Sequence, residues 1–98
     1  MPSRSPVPQE VSTELERVVR RWHQLPLDHA LRCVPTVRTL LADLAGDRAP
    51  LLPDLGPAVV MDQLTVLVFD VCTAGGPDVD ALPHRLRGLL ADLSVDSM

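Results

Sequence analysis

Apolar residues recur along this chain at intervals of three and four, the period of a helix with one face turned inward. From 8 to 24 the positions are Val11, Leu15, Val18, Val19 and Trp22. This predicts a helix over 8–24, entered through Pro8, whose fixed φ suits a first turn. Leu25-Pro26 ends it, because a proline disfavours helical backbone at the residue before it. From 27 to 45, Leu27, Leu31, Val34, Val37, Leu41 and Leu44 keep one phase, with Asp28 as the expected N-cap and Gly46 as the stop. Pro35 lies inside that stretch. Because the phase survives it, one helix kinked at Pro35 is expected rather than two. The last segment, 81–93, carries Leu82, Leu86, Leu89, Leu90 and Leu93, with Asp78 or Asp80 as cap and Pro83 in its first turn.

Segment 57–74 reads two ways. Val66-Leu67-Val68-Phe69 favours a strand by propensity. On a helix at about 100° per residue, however, Thr65, Asp62, Thr73, Asp70 and Gln63 gather within roughly 160°, whereas a strand would scatter them. No other segment reads as a strand, and a lone strand leaves its backbone groups unpaired. Helix is therefore expected over 57–74, ended by Gly75-Gly76. The Pro-rich connection 47–56 is longer than most helix connections, and Leu51, Leu52 and Leu55 are expected to pin it to the core.

Together these elements predict an all-α fold, a small four-helix bundle made of two helical hairpins and running up and down. Residues 8–94 form the single domain, 1–7 a flexible lead-in and 95–98 a tail. The expected core is Leu15, Val18, Trp22, Leu31, Leu41, Leu44, Leu64, Leu67, Val68, Val71, Leu86, Leu89, Leu90 and Leu93. An internal pseudo-repeat fits this picture. Shifted by half the chain, Pro8, Val11, Leu15 and Val18 fall on Pro57, Val60, Leu64 and Leu67, and Arg38-Thr-Leu-Leu-Ala-Asp-Leu falls on Arg87-Gly-Leu-Leu-Ala-Asp-Leu.

Composition narrows the function. With 98 residues there is room for one domain, and aromatics at 2% leave an aliphatic core. Lys, Asn, Ile and Tyr are absent, the coding bias of a high-GC bacterial genome. The net charge of −4 argues against a nucleic-acid binder. No apolar leader stands at the N-terminus, and Asp62, Gln63 and Asp70 interrupt the greasiest stretch, so a cytoplasmic protein with no membrane span is expected.

Candidate chemistry is sparse. No glycine-rich phosphate loop, nucleophile elbow or carboxylate pair is present, so neither an enzyme nor a cofactor is expected. His29 and Cys33 stand at i and i+4 on one helix face, a spacing that can supply two zinc ligands, with Cys72 or His84 to complete a site. The His29-x-x-x-Cys33 pattern resembles the start of the motif in zinc-binding anti-sigma factors, although Thr36 stands where their next cysteine falls. A Cys33–Cys72 disulfide would make the same residues a redox device. Asp96-Ser97-Met98 resembles the attachment site of acyl carrier proteins, but those place the serine at the start of a long helix in mid-domain, and the match is set aside. Glu16, Arg17, Arg20 and Arg21 make the first helix a charged one. It is either a docking surface for an acidic group or a solvated face held by Glu14–Arg17 and Glu16–Arg20 pairs.

The most informative oddity is the 57–74 helix. Its polar arc also holds Val59, Val66 and Phe69, so its outer side either meets another chain or lies under the 47–56 loop. The expected function is a non-catalytic protein–protein interaction module, accessory or regulatory, homodimeric or bound to another protein through Val59, Val66 and Phe69. The alternative is a metal- or thiol-dependent regulator using His29, Cys33 and Cys72.

Overall fold

In the computed structural model, residues 7–76 and 78–94 are described. Residues 1–6 of the expected lead-in, the tail 95–98 and the Asp96-Ser97-Met98 match lie outside them. Within that range the chain forms α1 (Gln9–Gln24), α2 (Leu27–Ala45), a 3-10 turn η1 (Gly46–Leu51), α3 (Val60–Ala74) and α4 (Asp78–Ser94). No strand occurs among the described residues, and the four α-helices pack together around one core.

The helix starts have a common logic. Pro8 and Pro26 sit at the N-cap positions of α1 and α2 with extended backbone, and their carbonyls accept from Ser12 and Ala30 at 3.0 and 2.9 Å. No side chain caps either helix. Asp28 is thus not the cap expected for α2. It lies in the first turn, where a carboxylate favours the helix dipole instead. The α4 start corrects the sequence reading in the same way. The helix begins at Asp78, so Asp78 and Asp80 are first-turn residues and Pro83 falls in the second turn. α3 begins at Val60, after a turn over 57–59. Gly46 (φ 58°) and Gly75 (φ 66°) end α2 and α3 with positive φ, which a side chain resists.

α2 runs unbroken through Pro35. Its buried face is His29, Ala30, Val37, Leu40, Leu41 and Ala45. That face is turned by about 50° from the Leu-rich stripe read off the sequence. Leu27 and Leu31 are consequently 65% and 49% exposed, and Leu31 is not a core residue. Smaller side chains, Ala30 and half-buried Cys33, face the interior instead.

The principal packing pairs are α1 with α4 and α2 with α3. Each joins one helix from each half of the sequence, so the halves interlock. This is the pairing that a twofold exchanging α1 with α3 and α4 with α2 would produce. Within the second pair, Leu44 and Val71 line one small hollow, and Arg38 and Gln63 both donate to the Pro53 carbonyl. The later residue of one helix thus matches the later residue of the other, and α2 and α3 run parallel rather than up and down. The connection explains how. η1 and the following residues return along α3, from the Arg48–Asp70 ion pair (3.8 Å) to the Gln63–Pro53 bond (2.9 Å). Six residues of 3-10 helix and five beyond can span about 28 Å, more than the ~22 Å of α3. The Trp22 indole N–H then fastens Pro57 to the end of α1 at 3.1 Å.

Candidate functional site

Only Leu52 of the three loop leucines packs against the core; Leu51 and Leu55 are 78% and 55% exposed. Polar contacts hold the loop instead. Besides the Pro53 carbonyl bonds, Arg38 pairs with Asp54 at 3.9 Å, and Asp54 accepts from the Gly56 N–H at 3.3 Å. Anchored in this way, the loop runs beside α3 and does not cover its outer face.

That outer face is a ridge. Val66 and Phe69 are 58% and 48% exposed, and Asp62 is exposed between them on the helical projection. Val59, expected beside them, precedes α3. It is half-buried, with its N–H on the Gly56 carbonyl and its own carbonyl accepting from Gln63. The three residues are therefore not equivalent: two stand on the ridge and one belongs to the turn below it.

A hollow lies on each flank of the ridge. The first, about 410 Å³, runs between α3 and η1, lined by Leu51, Leu52, Val66 and Leu67 together with the charged Arg48, Asp62 and Asp70. The second, about 590 Å³, lies between α1 and α3, bordered by Leu15, Val19, Glu16, Arg20, His23, Gln24 and Thr65. Neither hollow was legible in the sequence. Each depends on which elements run beside α3.

The charged face of α1 divides. Arg17 lies 3.9 Å from Glu14, but Glu14 itself is buried against α4, where Arg87 stands 4.0 Å away. Glu14 is therefore not part of a solvated face. No Glu16–Arg20 ion pair forms among the described residues, and both side chains are exposed in the hollow.

The candidate metal and thiol residues do not assemble a three-ligand group among the described residues. His29 is buried in the first turn of α2, Cys33 is half-buried one turn later, and His84 is exposed on α4. Cys72 is buried near the end of α3, beside the level of Leu44. Cys33 stands eleven residues before Leu44, about 16 Å along the helix, beyond the reach of a disulfide. Neither Cys33 nor Cys72 is in a disulfide, and no three His, Cys, Asp or Glu side chains among the described residues gather closely enough to hold a metal ion. Burial pushes the Cys72 thiol up from its ordinary value, which leaves it a neutral core group at physiological pH.

No helix among the described residues is long and apolar enough to cross a membrane. No protein-family model, curated protein or solved structure matches the chain.

Proposed function

We propose that this protein is a non-catalytic protein–protein interaction module of the cytoplasm, accessory or regulatory in role, which works as a homodimer through the outer face of α3. One observation carries the reading: Val66 and Phe69 stand half-exposed on a helix ridge between two largely apolar hollows. Contiguous apolar surface of this kind marks contact sites in soluble proteins. Fully burying each side chain is worth about 1.5–3 kcal/mol before the cost of association. A second copy is the simplest occupant, because a twofold axis uses the same patch twice.

Light scattering on the purified chain tests this. The expected mass is about twice 10.7 kDa, falling to a single chain in Phe69→Asp with the helical circular dichroism unchanged. A wild-type mass of one chain at every concentration overturns the homodimer.

A further inference from the structure

We infer that, in this homodimer, the α3 ridge of each copy seats in the α1–α3 hollow of the other, with the twofold axis running along α3. The inference rests on the reading that α3 is the contact face, and it fixes how that face is used. Shape gives the axis. A twofold perpendicular to α3 within the contact plane sets ridge on ridge and hollow on hollow. A twofold parallel to α3, displaced to one side, sets each ridge into the other copy's hollow.

Charge selects which hollow. Asp62, on the ridge, is exposed and makes no ion pair among the described residues. The hollow against η1, which Asp62 itself borders, offers it no unpaired cation, because Arg48 is already paired with Asp70 at 3.8 Å. The hollow against α1 holds one acid, Glu16, but also presents Arg20, exposed and likewise without an ion pair, and His23 one turn on. The levels agree as well. Trp22 fastens the end of α1 to Pro57, just before α3, and Thr65 shares the hollow with Arg20. A twofold along α3 preserves that level, so Asp62 of each copy meets the other copy's Arg20. Farther along the ridge, Phe69 meets the half-buried apolar wall formed by Leu15 and Val19. Each contact occurs twice.

Sedimentation equilibrium on the full chain at low and high salt is the test. Arg20→Asp and Asp62→Arg are each expected to weaken the dimer by about tenfold, and the double variant to restore it within about threefold. Leu51→Asp, in the other hollow, is expected to leave dimerisation unchanged. Wild-type dissociation should increase with salt. A dimer loosened by Phe69→Asp and Leu51→Asp but indifferent to Arg20→Asp and Asp62→Arg overturns this seating while leaving the interaction module standing. A wild-type chain that stays monomeric overturns both.

Discussion

At the level of single residues, Glu14 is the least settled group in the core. Its side chain is 9% exposed, its Oε2 faces Arg17 and Arg87 near 4 Å, and its Oε1 has no hydrogen-bond partner. A carboxylate so placed gives up hydration for two loose ion pairs, a poor exchange when an apolar side chain of similar volume could fill the site. Glu14→Met is expected to stabilise the fold by about 1 kcal/mol, and Arg87→Ala to destabilise it by a similar amount by removing one of the two counter-charges. Thermal unfolding followed by circular dichroism reads both. Cys72 gives a pH signature. Its thiol is raised by burial, so below its ordinary 9.0 it is neutral whether folded or not and leaves stability flat. Above that value the unfolded chain releases the proton while the folded chain retains it. Stability therefore falls as pH rises, by at most about 1.4 kcal/mol per unit, and Cys72→Ala abolishes that part of the slope.

Among the elements, α2 carries the clearest local cost. Pro35 has no N–H to give the Leu31 carbonyl, yet both residues are exposed, so water satisfies the orphan acceptor and the helix continues. Pro35→Ala should restore that bond and raise stability by about 1 kcal/mol, below the ~3 kcal/mol typical of a helix interior because the carbonyl is already hydrated. At the end of α3, Gly75 is in the left-handed region at φ 66°, and Gly75→Ala should lower stability by about 1 kcal/mol. Urea titrations separate the two. Helix existence and most helix ends were legible in the sequence, because the 3.6-residue period and the Gly and Pro stops are local signals. The facing of α2 was not. Its leucines suggest one inner stripe, but packing against the other helices puts Ala30 and Cys33 on the inside and leaves Leu27 and Leu31 in water, and which side a helix turns inward is decided by neighbours distant in sequence.

Across the whole molecule, what escaped the sequence is what long-range contact decides. Val66 and Phe69 could be singled out from the wheel of α3 alone, but Val59 could not be told from them until the helix start was fixed at Val60. The path of the connection rests on Arg38 and Gln63 reaching the Pro53 carbonyl, a backbone acceptor that no side-chain pattern announces. Once that path is known, the exposed apolar ridge, its flanks and the charges beside them follow. The interlocked pairing has a further consequence during synthesis. The first helix packs mainly on the last, so its buried face lacks its principal cover until α4 leaves the ribosome. Contacts so distant along the chain close slowly for its size. Nascent chains stalled before residue 78 should therefore remain open to protease in their N-terminal third, then become resistant together when α4 emerges.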